Sequence, residues 1–272
     1  MTPADAAARC ARYDYHRPTL PQHIQRPALL VFDKSNGFKA LPSVSAANAA
    51  LETMAHAQGW TLVRADNGAV FNRRDLSRFD AVIWNNVSGD VLTLSQRAAL
   101  RAYIERGGGF AGIHGSGGDY IYFWDWYPDT LIGARFEGHP NWPQFQEARV
   151  NVEDRTSSVT AGLPADWRMT EEWYSFRTNP RAIGARVLLA LDETSYAPRG
   201  PQEDLSMGDH PIAWIHCVGN GRAFYTAIGH RPENYSEPNS ARVQVQGIAW
   251  AMGHGDTFCR NGREVARAAH GR

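Results

Sequence analysis

The ten residues Gly107-Gly108-Gly109-Phe110-Ala111-Gly112-Ile113-His114-Gly115-Ser116 constrain the fold more than any other part of the 272-residue chain. They read as a helix stop, a short buried strand and a sharp turn that lifts His114 into solvent. Glycine lets a backbone turn where a Cβ would clash. A reactive side chain at such a strand-to-helix elbow is a recurrent catalytic device, usually with Ser or Cys at the tip. Here the tip is His114.

The flanking segments build a layered fold around that elbow. Ala28-Leu29-Leu30-Val31-Phe32 is a continuous apolar run, as expected of a strand covered on both faces. Residues 43–58 carry Ala47, Ala50, Leu51, Met54 and Ala55 at helical spacing and stop at Gly59. Strands are expected over residues 60–63 and 79–84, the second ending at Asn85-Asn86. Thr93 and Gln96 form a capping box for a helix that buries Leu100, Tyr103 and Ile104 and turns Arg97, Arg101 and Glu105 outward. This alternation with short connections predicts a parallel sheet with helices on both faces.

Beyond Ser116 the pattern loosens. An aromatic loop runs from Asp119 to Trp142, and a loop of that length inside a domain points to function. Strands are expected over residues 148–152 and 186–191, and a hairpin over 211–217 and 222–228, ending at Gly229-His230. Residues 166–180 read as irregular and carry Glu171-Glu172-Trp173-Tyr174, with one acid inward and the other solvated. A last helix over 238–252 faces Val243, Gly247, Trp250 and Ala251 inward. The chain divides into an N-terminal arm (1–26), an α/β domain (27–255) and a C-terminal tail (256–272).

Lys+Arg and Asp+Glu are equal at 28 each, which gives no electrostatic case for nucleic acid or an anionic membrane. No apolar run approaches membrane length. The three cysteines are odd in number and form no CxxC pair, so neither a disulfide framework nor a thiolate zinc site is expected, and a cytoplasmic, reducing location is. There is no P-loop, no GxGxxG after a strand and no GxSxG, which disfavours nucleotide binding, hydride transfer and serine hydrolysis.

Ligands of open parallel sheets bind beyond the carboxyl ends of the strands. Those ends carry Asp33 to Lys39, Asn85-Asn86, His114-Gly115-Ser116 and Gly229-His230. The prediction is one crevice holding His114 and His230, with Asn85 or Lys39 at its wall. His139, His210 and Glu172 are further candidates, with plainer readings as a turn residue, a structural residue of an Asx-type turn before proline and a solvated acid, and His114 itself has a plainer reading as a buried histidine bonded to backbone. No cofactor is demanded. A zinc-like divalent ion on His114, His139 and His230 is the open option, without an HExxH motif to support it.

The motifs, taken in order, resemble the trehalose-utilisation (ThuA-like) family. They include Gly37-Phe38-Lys39, the Gly107 to His114 run, Gly138-His139-Pro140, Glu171-Glu172-Trp173-Tyr174-Ser175-Phe176, Asp209-His210-Pro211 and Ala227-Ile228-Gly229-His230. The resemblance implies a flavodoxin-like, class I glutamine amidotransferase-like α/β fold in which His114 replaces the glutaminase cysteine, so amide hydrolysis is not expected. It implies carbohydrate catabolism, including disaccharides oxidised to 3-keto sugars. A histidine common after the first Gly-Phe-basic motif is Ala40 here, and a His-Pro common before the Gly-Leu-Pro segment is Ser157-Ser158.

The expectation is therefore a lyase, hydrolase or isomerase acting on a small carbohydrate. His114 and Glu172 would transfer protons, and His230 and His139 would orient the ligand or hold a metal. Lys39, Asn85, Tyr174 and His210 would contact substrate, and the loop from Tyr120 to Trp142 would stack on the sugar. The alternatives are a non-catalytic sugar-binding or regulatory protein with the same crevice, and an assembly partner. Self-association is left open.

Overall fold

The apolar run Ala28–Phe32 forms β1, and all five residues are buried. In the computed structural model, which describes residues 11–119, 123–200, 204–256 and 258–259, β1 is followed by α1 (Leu41–Gln58). The helix buries Val44, Ala47, Leu51 and Ala55 on one face and ends at Gly59, whose φ of 68° is a left-handed conformation that favours glycine. Then come β2 (Thr61–Ala65), the single turn α2 (Arg73–Leu76), β3 (Ala81–Asn85), α3 (Leu94–Glu105) and β4 (Gly109–Ile113). Thr93 and Gln96 close a reciprocal capping box at the start of α3.

The second half adds β5 (Phe136–Gly138), β6 (Gln146–Val152), β7 (Arg168–Glu171), β8 (Ser175–Phe176), β9 (Arg186–Asp192), β10 (Pro211–Val218), β11 (Gly221–Thr226) and α4 (Pro238–Ala251). The main sheet has the order β2-β1-β3-β4-β11-β10-β9-β6-β7. Its first five strands run parallel in flavodoxin-like order. The other four extend it antiparallel, so the sheet is mixed.

Helices cover both faces of the parallel half. Asn85, in register with Ile113, donates to the Val44 carbonyl of α1. A Cβ on Gly109, on the same face of β4 as Ile113, would collide with Ala251 of α4. The opposite face carries Phe110, Trp84 and Tyr127, and Arg97 and Arg101 of α3 lie over the neighbouring Trp124 and Trp126.

The antiparallel half does not lie flat. β7 stands four strands from β11, about 19 Å at the usual spacing of ~4.8 Å per strand. Yet the Glu171 carboxylate at the end of β7 accepts from the Gly229 amide just beyond β11, at 2.9 Å. The sheet therefore curls until its outer edge meets the carboxyl ends of the parallel strands. The two-stranded sheet of β5 and β8 lies in the same region and places His139 and Tyr174 immediately beside its strands.

Several expectations are corrected. Residues 166–180 are not irregular throughout, since β7 and β8 fall within them. The aromatic loop contains a π-helical turn, Tyr127–Ile132. Trp124 and Trp126 stack on each other at 4.9 Å, and Tyr127 stacks on Trp84 at 4.8 Å. Tyr120, at the loop's start, lies outside the described residues. Cys217 and Cys259 form a disulfide that ties the tail to β10. An odd cysteine count is no bar, because only two of the three need to meet. Residues 11–26 have no helix or strand but are fastened down, with Arg17 clamping Asp75 and Gln96 donating to the Asp14 carbonyl. Among the described residues, no helix is long and apolar enough to cross a membrane.

Candidate active site at the elbow

His114 sits at the end of β4 with φ of 39°, a strained value for a residue with a side chain. The conformation is over-determined by its surroundings. Gly115 N–H donates to Asn86 Oδ1, and Ser116 bridges the Trp84 carbonyl and the Val87 amide. Tyr225 donates to the His114 carbonyl at 2.9 Å. The next glycines are shaped by close approach: a Cβ at Gly117 would meet the Tyr225 ring, and one at Gly118 the Tyr174 ring.

The turn does not deliver His114 to solvent. The residue is 2% exposed, with its ring stacked on Tyr174 at 4.1 Å. Nδ1 lies 2.6 Å from the Ala227 carbonyl, which can only accept, so Nδ1 carries the proton. Nε2 faces Glu172 Oε2 and His230 Nδ1, each at 3.2 Å. His230 Nδ1 lies 2.8 Å from the same carboxylate oxygen. The other oxygen, Oε1, takes Gln144 Nε2 and has His139 Nε2 at 3.4 Å.

The two adjacent acids are both buried, which corrects the expectation that one is solvated. Glu171 accepts from the backbone amides of Glu172, Gly229, His230 and Arg231 and from Asn234 Nδ2. It holds the loop that presents His230. Glu172 is held by imidazoles. Burial alone would raise its carboxyl, but the hydrogen bonds from His114 and His230 and the charges of His114 and His139 keep it well below the usual carboxylate range. Burial would lower His230, but the hydrogen bond and charge of Glu172 outweigh it and push its pKa up.

A cleft of about 410 Å³ opens beside this cluster, lined by Asn36, Phe38, Asp119, Phe123, Phe136, His139, Gln144, Glu172 and Tyr174, with Gly37, Gly89 and Gly118. Among the described lining residues none is Lys or Arg. Phe38, Phe123 and Phe145 are exposed rings, and Phe38 and Phe145 flank His230 at 6.4 and 5.3 Å.

Of the predicted residues, the structure gathers His114, Glu172, His230, His139 and Tyr174. Among the described residues, three others make no hydrogen bond with Glu172 or its imidazoles. Asn85 is fully buried and its amide is committed to the Val44 carbonyl and Asn48, because its side chain points to α1 and away from the cleft. His210 is fully buried, bonded to Glu193 and to the Tyr174 carbonyl, so it supports the backbone behind Tyr174. Lys39 is exposed and, among the described residues, makes no side-chain hydrogen bond or ion pair. Gln144 and Asp119 carry no sequence signal of their own. Phe38 and Phe123 stand beside positions already marked, but an exposed Phe cannot be told from a packed one before the fold is known.

Comparison with known proteins agrees with this architecture. A family model described as "Trehalose utilisation" (ThuA) matches residues 28–251. A search against curated proteins finds no match. Among solved structures, a putative ThuA-like protein from Bacteroides uniformis ATCC 8492 superposes with a TM-score of 0.73 at 23% identity, covering 89% of this chain and 98% of that one. One from Parabacteroides merdae ATCC 43184 gives 0.62 at 16% identity, covering 84% and 91%. At these identities the likeness speaks for the fold alone. With the family model spanning the whole sheet and the elbow, the chain belongs to the ThuA, or trehalose-utilisation, family.

Proposed function

We propose that the protein is an enzyme of carbohydrate catabolism that acts on a disaccharide, glycoside or 3-keto sugar by acid–base elimination, hydrolysis or isomerisation. The observation that carries this reading is the carboxylate–imidazole cluster of Glu172, His114, His230 and His139 at the wall of a cleft with aromatic rings and no cationic side chain among its described lining residues. The volume of about 410 Å³ falls within the range of small-molecule sites, ~300–1,000 Å³. Ring faces suit the C–H faces of a sugar, and the lack of Lys and Arg suits an uncharged polyol over a phosphosugar.

A ketone acidifies the neighbouring C–H. One proton-transfer group and one group that polarises the carbonyl oxygen then suffice for elimination or isomerisation. His139 is the proton-transfer group in this reading. It faces the cleft, is half-buried, and is backed by Glu172 Oε1. His114 is too buried to touch a ligand in this arrangement, so its role shifts from the expected proton transfer to completing the polarising centre with Glu172 and His230. Family membership supports a link to trehalose utilisation.

The test is incubation with 3-keto-trehalose, other 3-keto glycosides and their unoxidised parents, with products followed by NMR. Turnover of at least one, reduced about 10²- to 10⁴-fold in His139→Ala, supports the reading. No turnover of any, with saturable sugar binding unaffected by Glu172→Gln, supports the second reading, a non-catalytic sugar-binding protein. The near-complete burial of Glu172 is what favours that alternative.

A further inference from the structure

We infer that His114 Nε2, Glu172 Oε2 and His230 Nδ1 form a three-point site for one divalent transition-metal ion, such as zinc, iron(II) or manganese. The inference deepens the reading of this cluster as the polarising centre, and rests on it for purpose, but metal binding is measured without any sugar. Three observations carry it.

The first is spacing. The three atoms are 3.2, 3.2 and 2.8 Å apart. An ion with ligand bonds of ~2.1 Å holds adjacent octahedral ligands ~3.0 Å apart and tetrahedral ones ~3.4 Å apart. The triangle therefore has the edge lengths of one coordination face. Two histidines and one carboxylate on a face, with the remaining positions open, is a set that suits such ions.

The second is the direction of the lone pairs. The Ala227 carbonyl can only accept, so His114 Nδ1 bears a proton and Nε2 is the nitrogen left to offer a lone pair to a metal ion. Nε2 then aims a lone pair at a carboxylate oxygen, which is also an acceptor. A cation between the two satisfies both, together with His230 Nδ1.

The third is support behind each ligand, which is how metal sites fix ring orientation. Ala227 holds His114, Gln144 and His139 hold the second oxygen of Glu172, and Glu171 holds the backbone of His230. The set departs from the sequence expectation in one member. Glu172 replaces His139, which lies at 3.4 Å from Oε1, the oxygen that the triangle does not use.

The experiment is titration of chelator-stripped protein with Zn²⁺ and Co²⁺, read by calorimetry and by the visible absorption of bound cobalt. The expected result is one equivalent per chain. Affinity should fall at least tenfold in both Glu172→Gln and His230→Gln, while His139→Ala still binds one equivalent. Near-UV circular dichroism identifies variants that keep the fold, and the wild-type stoichiometry stands as a test if neither does. Absence of stoichiometric binding by folded wild-type protein overturns the site. So does loss of binding in His139→Ala equal to that in Glu172→Gln. Metal binding without sugar turnover sinks only the functional reading, and turnover without stoichiometric metal binding sinks only the metal site.

Discussion

Glu171 and Glu172 are neighbours, both buried, and surrounded by different donors. Glu171 collects backbone amides, so Glu171→Gln places an amide group against N–H donors and leaves some unpaired. We expect a stability loss of about 3 kcal/mol or more, seen as a lower denaturant midpoint. Glu172→Gln should instead act on turnover, lowering kcat/KM by about 10²-fold or more with a smaller stability loss. If Glu171→Gln is silent in stability, the account of the His230 loop is wrong. Sequence could mark this pair but not divide its work, because the division depends on which amides the curl of the sheet brings to each carboxylate. His114 was more legible, since glycines pack only where other side chains press close. Its burial was not, since Tyr174 arrives from far along the chain.

His216 offers a residue-scale test against pH. Burial pushes its imidazole down to about 4, against the hydrogen bond to the Thr130 carbonyl. The unfolded chain takes up a proton near pH 6.5, and the folded one does so only near 4. Stability from this group is thus complete above about pH 6.5 and is lost as pH falls towards 4, by up to about 3 kcal/mol. His216→Gln should flatten that limb of the stability–pH curve. The Glu172 cluster has different limits. Glu172 is lowered, so its contribution is lost on the acid side. His230 is raised, so its contribution is complete below about pH 6.5 and lost as pH rises through its folded value.

At the scale of elements, the parallel half follows from apolar runs, one capping box and helix-stopping glycines, because each signal is local. α4 lies so close to β11 that a Cβ on Gly247 would enter the Phe224 ring. Gly247→Ala should cost about 1–3 kcal/mol by overpacking, measured by chemical denaturation. A neutral result would mean that α4 moves freely on the sheet. β7 and β8 escaped sequence reading because they are short and set among aromatics, where a two-residue period has too few positions to register. Their strand pairing, which carries Glu172 and Tyr174 to the site, is long-range.

For the whole molecule, the mixed sheet curls so that an antiparallel edge completes a site begun at the ends of parallel strands. The crevice rule anticipated that His114 and His230 meet, and could not supply the rest of the candidate cluster, since it concerns parallel strands alone. The disulfide between Cys217 and Cys259 spans 42 residues and encloses β11 and α4. Its removal in Cys259→Ser should cost ~2–4 kcal/mol. A cytoplasmic location favours these cysteines as thiols, and an oxidising compartment favours the bond. Rapid alkylation in the native cell followed by mass spectrometry decides, and we expect the bonded form.

Proton exchange tests the catalytic claim most directly, because it needs no assumption about the final product. A 3-keto glycoside in D₂O is followed by NMR for deuterium entering the carbon next to the ketone. The account predicts exchange well above the buffer rate with wild-type protein, and close to the buffer rate with His139→Ala and Glu172→Gln. Exchange that is undetectable with folded wild-type protein, or undiminished in both variants, contradicts it.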